Sequence, residues 1–273
     1  MEDSYWIRQD GDEKTWEEVN LFHNPLSLFI TEVSLSGRNH HYKVDVQVNQ
    51  TIHTPELTTL GASAKGWIRH EDGLHLHKVG RYEIPASEIL DALEIEHIPY
   101  MISSEEDIRI YLSDERKEWL QGVGEVMVHS KLFTSEDVAM VTFEEFAVFC
   151  RNYGLNPYEE AKNVDRQFYL KMQIADYILN NNDRHEQNWG FLMDNSTGKL
   201  IGFCPLFDHD HTFAPYENVL SQTTEGNRTL LEVALEAQEE LKMNLNKLFE
   251  MKCPTLLSEK QWEEVFDRTK KIM

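Results

Sequence analysis

The residues whose types and spacing could do chemistry lie in the second half of the chain. Asp183 and Asn188 are five positions apart in the polar segment 180–188, and Asp208 follows later along the chain. Phosphoryl transfer uses such a set of groups. One carboxylate orients the acceptor hydroxyl and accepts its proton, while a second carboxylate and an amide oxygen hold magnesium on the phosphates.

The elements around these residues are expected to bring them together. Apolar residues recur at three- and four-residue steps through 164–180, which predicts a helix that ends at three asparagines. The apolar runs 189–193 and 199–204 flank a turn rich in Asn and Gly and predict a β-hairpin. Because a tight hairpin returns the chain to its start, Asp208 is expected near Asn188. Protein-kinase catalytic loops have the same D-x-x-x-x-N spacing, followed by a metal-binding Asp.

A purely structural role for the same residues is the alternative interpretation. Asp183 could cap a turn, Asn188 could satisfy backbone groups, and Asp208 could cap the next segment. An isolated Asp and Asn at this spacing are structural more often than not. The preceding helix, the following hairpin and the place of Asp208 together favour the functional interpretation.

The order of elements along the chain predicts an α+β fold with two lobes. Strands and a first helix are expected before residue 133, with strands over 41–48, 54–69, 74–78, 97–102 and 125–132 and a helix over 85–93. Mainly helices are expected after it, over 142–152, 164–180, 228–250 and 258–273. The sequence therefore predicts a β-rich nucleotide-binding lobe, residues 1–133, and a helical catalytic lobe, residues 134–273.

The charge of the chain argues against some partners. Acidic residues outnumber Lys and Arg by 48 to 26, which gives a formal net charge of −22. Nucleic acids and anionic lipid surfaces are bound through clustered Lys and Arg, so direct binding to nucleic acid or membrane is not expected. A nucleotide site remains compatible with this charge, because local lysines, backbone amides and magnesium neutralise phosphates.

Localisation is inferred from targeting signals and cysteines. The first residues lack the basic and apolar regions of a signal peptide, and no apolar run approaches the roughly 18 residues of a membrane span. The three cysteines are not closely spaced and suggest reduced thiols rather than a disulfide framework or a zinc site. A cytoplasmic protein is the expectation.

Several motifs resemble those of the HipA-like kinases. Segment 183–188 reads Asp-Arg-His-x-x-Asn and is followed at 205–208 by Pro-Leu-Phe-Asp. This pattern is also similar to the catalytic loop of phosphoinositide lipid kinases. Further segments resemble HipA-like kinases alone, namely 55–67, 76–78, 87–100 and 130–137. The resemblance covers most of residues 54–210, and the tail from 211 resembles the family's helical end only loosely.

The resemblance implies a two-lobed, protein-kinase-like fold with ATP and magnesium in the cleft between the lobes. Asp183 matches the catalytic base, and Asn188 and Asp208 match the metal ligands. Lys78 matches the lysine that contacts the α- and β-phosphates.

The strand that carries this lysine fits the assigned role. Leu74, Leu76 and Lys78 alternate along one predicted strand and therefore share one face. Glu83 is the candidate for the glutamate that orients Lys78. Only five positions separate the two residues, so Glu88 is kept as the alternative partner.

The predicted nucleotide-binding loop departs from the common kinase pattern. No G-x-G-x-x-G occurs; the loop at 58–66 instead offers Gly61, Ser63 and Lys65 as candidate ATP-binding residues. Backbone amides in this loop could still hold phosphates. A nearby hydroxyl could be a site of autophosphorylation, as in some HipA-like kinases.

Three histidines lie close to the candidate catalytic residues. His185 is expected to orient the catalytic loop through its ring nitrogens. His209 and His211 alternate with aspartates, but no third well-spaced zinc ligand follows them. Hydrogen bonding around the magnesium site is the expected role of these two histidines.

The preferred functional interpretation is an ATP-dependent kinase that phosphorylates a Ser or Thr hydroxyl of a protein. A lipid kinase is the enzymatic alternative, and the acidic composition weighs against it. The alternative from another class is a degenerate kinase that binds nucleotide or a partner protein without transfer. The resemblance also admits an antitoxin-type partner, although the chain is shorter than full-length HipA toxins.

Overall fold

The computed structural model describes residues 64–273 continuously and, before them, residues 15–23 and 28–36 with the single positions 11, 13 and 26. The strand predicted over 41–48 and two candidate ATP-binding residues, Gly61 and Ser63, lie outside the described residues. Within the described part of the chain, no helix has both the length and the apolar character needed to cross a membrane.

The described residues form helices and strands in the following order: α1 (Trp16–Val19), α2 (Leu28–Ser36), β1 (Lys65–His70), β2 (Gly73–Val79), α3 (Glu83–Ala92), β3 (Met101–Ile102), α4 (Glu105–Ile108), α5 (Asp114–Val123), β4 (Met127–Lys131), β5 (Val138–Thr142), α6 (Phe143–Asn152), α7 (Pro157–Val164), α8 (Arg166–Leu179), β6 (Gly190–Asp194), β7 (Lys199–Phe203), α9 (Leu230–Leu241), α10 (Lys247–Glu250) and α11 (Glu259–Ile272).

The chain divides into two compact units. The first comprises Met1–Arg81 and Tyr100–Asp137, and the second comprises Tyr82–Pro99 and Val138–Met273. Helix α3 therefore belongs to the second unit although its sequence lies within the first half of the chain. The division into lobes at residue 133 stays a prediction.

The first unit contains a four-stranded antiparallel sheet in the order β1-β2-β4-β3. Strands β1, β2 and β4 confirm the end of the strand predicted over 54–69, the turn after it and the strands predicted over 74–78 and 125–132. Residues 54–63 of the first predicted strand lie outside the described residues. The strand predicted over 97–102 is shorter than expected, because only Met101 and Ile102 pair with β4. Helix α2 lies against β1, where Thr31 Oγ1 donates to the carbonyl of Trp67. A small apolar core fills this unit, formed by Leu35, Ile68, Leu112, Leu120 and Met127.

The second unit contains the predicted hairpin, β6 and β7, as part of a three-stranded sheet. Strand β5 pairs with β6 in antiparallel register and was not predicted from the sequence. A short apolar run that leads directly into a helix cannot be told from a helical segment by periodicity alone. Gly190 stands opposite Thr142 in this pairing, where an added Cβ would lie 2.1 Å from the carbonyl oxygen of Val141. The close approach of β5 therefore requires glycine at that position.

Helix α8 is the central element of the second unit. Asp165 accepts a hydrogen bond from the N–H of Phe168 and so caps the start of the helix. Asn180 ends it in the left-handed conformation, with φ of 51°. The helix is buried on almost every side from Phe168 to Leu179. The periodic sequence predicted the helix correctly, but the surrounding elements bury far more of it than one face.

The long helix predicted over 228–250 is wrong in one respect. Helix α9 ends at Leu241, the next residue Lys242 is left-handed with φ of 51°, and α10 begins at Lys247. The side chain of Gln238 accepts from the N–H of Met243 and donates to its carbonyl. These bonds stabilise the turn that interrupts the helix.

Candidate active site

Hydrogen bonds of asparagine side chains stabilise the loop after α8. Asn181 Oδ1 accepts a hydrogen bond from the backbone N–H of Asp183, at 3.1 Å. Asn181 Nδ2 donates to the carboxylate of Asp176, also at 3.1 Å. Asn180 Nδ2 donates to the carbonyls of Ala214 and Tyr216. The asparagines predicted as a helix stop therefore also fix the segment that presents Asp183.

Asp183 and Asn188 are connected directly. Asn188 Nδ2 donates to the backbone carbonyl of Asp183 at 2.8 Å, and the Asn188 N–H donates to the carbonyl of His185. His185 Nδ1 accepts from the N–H of Gln187. With its amide nitrogen used inside the loop, Asn188 has Oδ1 as the side-chain atom that could ligate a metal. The Asp183 carboxylate is half-buried.

Arg184 is the residue that joins this loop to the hairpin. Its guanidinium is buried and pairs with the buried carboxylate of Asp176, with nitrogen–oxygen distances of 3.1 and 3.3 Å. Nη1 of the same side chain donates to the backbone carbonyls of Asn188, at 2.9 Å, and Phe207, at 2.6 Å. Asn188 and the residue before Asp208 are therefore tied to one nitrogen atom.

The sequence interpretation assigned no role to Arg184 or Asp176. A charged residue in the middle of the apolar helix α8 was the signal that could have identified them. Asp176 is completely buried, and a buried carboxylate needs a partner close in space. The spacing of eight residues, however, does not reveal that partner, because the chain leaves the helix between the two residues.

Asp208 adopts the left-handed conformation, with φ of 58°. Non-glycine residues rarely do so, and such a conformation costs of the order of 1–3 kcal/mol and persists only where the surroundings enforce it. Asp208 follows β7 and lies at the carbonyl of Phe207 that Arg184 holds. The left-handed backbone of Asp208 therefore determines the direction in which its carboxylate leaves the chain.

Three carboxylates converge at this point. One carboxylate oxygen from each of Glu83, Asp208 and Asp210 lies within 4.8 Å of the others. Glu83 is completely buried, whereas the two aspartates are half-buried. Carboxylate oxygens are the ligands of hard cations such as magnesium, so the donor set fits the metal that the sequence predicted. The sequence assigned Asn188 and Asp208 to the metal, and the structure adds Glu83 and Asp210 as neighbouring donors.

His209 connects Glu83 to the segment that carries both aspartates. The backbone N–H of His209 donates to Glu83 Oε1 at 3.0 Å, and His209 Nδ1 lies 3.2 Å from Glu83 Oε2. Burial lowers the pKa of His209 more than the bond to Glu83 raises it, so the imidazole is neutral and donates through Nδ1. Nε2 is buried and has no hydrogen-bond partner among the described residues. His209 thus makes hydrogen bonds beside the acidic residues, and a role of His209 and His211 around a magnesium site stays a prediction.

The candidate ATP-binding lysines, Lys65 and Lys78, lie in the first unit, and Lys65 begins strand β1 instead of lying in the predicted loop. Lys65 and Lys78 are direct neighbours across β1 and β2, so their side chains share one face of the sheet. Lys78 is buried, and its ammonium lies 5.4 Å from the ring centroid of Tyr100. Glu88 accepts a hydrogen bond from the N–H of Thr255 in the second unit. The choice of Glu83 or Glu88 as the partner of Lys78 stays a prediction.

Neither a known family model nor a curated protein sequence matches the chain. Among solved structures, it is similar to the crystal structure of a proinflammatory kinase from Helicobacter pylori, CtkA, with a TM-score of 0.54 and 16% sequence identity. That alignment covers 76% of this chain and 89% of the Helicobacter chain. The structural likeness confirms the kinase-like α+β fold that the sequence resemblance to HipA-like kinases predicted.

A second similar structure is HipA of Shewanella oneidensis MR-1, solved in a complex with HipB and operator DNA. Its TM-score is 0.41, with 10% sequence identity, and the alignment covers 85% of this chain and 66% of the HipA chain.

Proposed function

We propose that the chain is an ATP- and magnesium-dependent kinase that transfers the γ-phosphate to a Ser or Thr hydroxyl of a protein. The observation that carries the proposal is the contact of a single Arg184 nitrogen with the carbonyls of Asn188 and Phe207. It places the loop of Asp183 and Asn188 beside the backbone that leads to Asp208. The kinase-like fold supports the same assignment.

Each residue of this loop takes a role that its geometry permits. Asp183, half-buried on a loop that Asn181 and Asn188 hold in place, aligns the acceptor hydroxyl and accepts its proton. Asn188 Oδ1 and the Asp208 carboxylate would hold magnesium, and the carboxylates of Glu83 and Asp210 lie beside that of Asp208. Magnesium bound there supplies positive charge that stabilises the transferring phosphoryl group.

The nucleotide phosphates are assigned to the first unit. Lys78 and Lys65 place two positive charges on one face of the sheet, and two ammonium groups there favour a polyanionic ligand. Gly61 and Ser63 belong to the same proposal through the sequence resemblance. Glu83 as the glutamate that orients Lys78, with Glu88 as the alternative, belongs to the proposal through the sequence resemblance alone.

A protein acceptor is preferred over a lipid. The net charge of −22 repels anionic membranes and suits positively charged segments of a protein substrate. An autophosphorylated hydroxyl of the chain itself and an antitoxin-type partner protein belong to the same proposal through the sequence resemblance.

Transfer of label from [γ-³²P]ATP in the presence of magnesium tests the proposal. The wild-type chain is compared with Asp183→Ala and Asp208→Ala, and label is followed in the chain, in a protein acceptor and in phosphoinositide vesicles. Asp267→Ala is the matched control, since Asp267 is an exposed aspartate of α11 in the same unit. Label that depends on Asp183 and Asp208 but not on Asp267 supports the kinase.

Other outcomes separate the alternatives. Label found only in the vesicles would make the chain a lipid kinase. Tight ATP binding without any label would overturn the kinase assignment in favour of a nucleotide-binding module. A chain that neither binds ATP nor transfers label would resemble the kinases through common ancestry alone.

A further inference from the structure

Four histidines lie on one face of the sheet in the first unit. His75 and His77 alternate along β2, so they point to the same side. His129 on β4 stands directly opposite His77, and His70 ends β1 on the same face, where its partner is Gly73. The alternating Leu-His-Leu-His-Lys run of β2 thus places imidazoles where a sheet ordinarily buries apolar residues.

These imidazoles are close together and withdrawn from solvent. His75, His77 and His129 expose between 0% and 8% of their surface, and His70 is half-buried. His70 Nε2 lies 2.9 Å from His77 Nε2, and His75 Nδ1 lies 2.9 Å from His129 Nδ1. Burying several polar rings has a cost that apolar side chains would avoid, so packing alone does not account for the cluster.

We propose that His70, His77 and His129 bind one divalent transition-metal ion of the zinc class. The ion cross-links strands β1, β2 and β4. One ring nitrogen from each of the three histidines lies within 4.8 Å of the others. Imidazole is a preferred ligand of zinc, copper and nickel, and three histidines form a common zinc ligand set.

The distances fit such an ion after a small adjustment. Zinc–nitrogen bonds of about 2.0–2.1 Å in tetrahedral geometry place ligand nitrogens about 3.3 Å apart. The His70–His77 nitrogens, at 2.9 Å, need to separate slightly, and the His129 nitrogen needs to approach. The rings of His77 and His129 are nearly parallel, with an interplanar angle of 10°, so they must also turn about Cβ–Cγ. This torsion is broad for histidine.

Neighbouring groups set the protonation of the ligands. His77 Nδ1 is hydrogen-bonded to Ser103 Oγ at 2.9 Å, which leaves Nε2 facing His70. Asp72 lies 3.0 Å from His75 Nε2, and a carboxylate can only accept, so His75 carries its proton on Nε2. With that proton on Nε2, Nδ1 of His75 accepts from Nδ1–H of His129. On His129 the nitrogen with the lone pair is therefore Nε2, the form that a metal ligand requires.

A second triad shares one of these histidines. His70, Asp72 and His75 also offer ligand atoms within 4.8 Å of one another. Asp72, however, is 60% exposed, and its carboxylate is already engaged by the ammonium of Lys131, at 3.3 Å, and by His75 Nε2, at 3.0 Å. The all-imidazole triad is therefore the site proposed, and His75 with Asp72 orients His129.

Metal titration of the metal-free chain, residues 1–273, tests the site. Co²⁺ serves as the probe because tetrahedral Co²⁺ absorbs visibly, and Zn²⁺ serves as the competitor. One equivalent of Co²⁺ is expected to bind, with Zn²⁺ displacing it and raising the unfolding temperature. His70→Gln and His77→Gln are expected to weaken binding by more than about 100-fold, and His75→Gln by about 10–100-fold, the range for residues that orient a ligand.

The controls keep the test independent of folding. His23→Gln is the matched control, since His23 is exposed, belongs to the same unit and pairs with Glu136 outside the cluster. Far-ultraviolet circular dichroism of each metal-free variant checks that it folds, and the half-buried His70 is the position where substitution disturbs packing least. The proposal is overturned if the folded wild type binds no Co²⁺ stoichiometrically, or if His70→Gln and His77→Gln bind it as tightly as His23→Gln. Loss in His70→Gln and His75→Gln with binding retained in His77→Gln would overturn it in favour of the Asp72 triad.

Discussion

The backbone N–H of His209 donates to the carboxylate of Glu83 at 3.0 Å, across 126 positions of the sequence. Both side chains are completely buried, and the imidazole adds a second contact to the same carboxylate. The bond fixes the start of helix α3 against the segment that carries Asp208. Because His209 directly follows Asp208, Glu83 determines where the candidate metal ligand lies.

Glu83→Gln is expected to lower the free energy of unfolding by about 1–3 kcal/mol, since the amide NH₂ would face the Nδ1–H of His209 and leave a buried donor unsatisfied. Urea denaturation measures the change. Glu88→Gln is the control, because half-exposed Glu88 accepts one hydrogen bond from Thr255, which a glutamine oxygen can still accept. Equal effects of the two substitutions would contradict the importance of the His209 contact.

Asp176→Asn is expected to destabilise the protein by about 3–5 kcal/mol, because it leaves the buried guanidinium of Arg184 without a compensating charge. The same variant should lose kinase activity, since Arg184 holds the carbonyls of Asn188 and Phe207. Chemical denaturation and label transfer measure the two effects.

The exposed pair Arg166–Glu240 supplies the comparison for that experiment. Its two hydrogen bonds are short, at 2.7 Å, but both side chains remain about half exposed. Glu240→Gln should therefore cost no more than about 1 kcal/mol. If Asp176→Asn proved as mild as Glu240→Gln, the buried pair would not organise the loop.

Gly190→Ala is expected to destabilise the second unit by more than about 4 kcal/mol or to prevent folding, because the new Cβ would meet the Val141 carbonyl at 2.1 Å. Thermal unfolding measures the effect. Gly122→Ala is the opposite case, since Gly122 lies in helix α5 with no atom within 4 Å of an added Cβ. That substitution should stabilise by about 0.5–1 kcal/mol. A stable Gly190→Ala protein would show that β5 does not pack against β6 as closely as described.

The cysteines are expected to differ in reactivity. Burial raises the pKa of the Cys204 thiol to about 12, and it also raises the pKa of the Cys150 and Cys253 thiols. Cys253 is less buried than the other two cysteines. A raised pKa lowers the thiolate fraction, so alkylation at about pH 8 should be slow and should speed up about tenfold per pH unit below the pKa. Mass spectrometry should find Cys253 modified first in the folded protein and the other two only after unfolding. Early modification of Cys204 would contradict its burial.

The sequence alone determined the elements whose signals are local. Helix α8, the hairpin of β6 and β7 and the α+β order follow from periodicity and turn residues, which act within a few positions. The Asp183–Asn188 spacing identified the candidate catalytic loop for the same reason. The tight turn between β1 and β2 was likewise visible as Glu-Asp-Gly.

Only the tertiary structure decided the relationships between distant residues. Three such relationships depend on packing that no local pattern encodes. They are the pairing of β5 with β6, the ion pair of Arg184 with Asp176 and the hydrogen bond from His209 to Glu83. The histidine cluster shows the same limit. Alternation placed His75 and His77 on one face, but strand register alone brought His129 opposite His77. Register and packing are cooperative properties of the folded chain, because each contact becomes favourable only when the surrounding elements are in place.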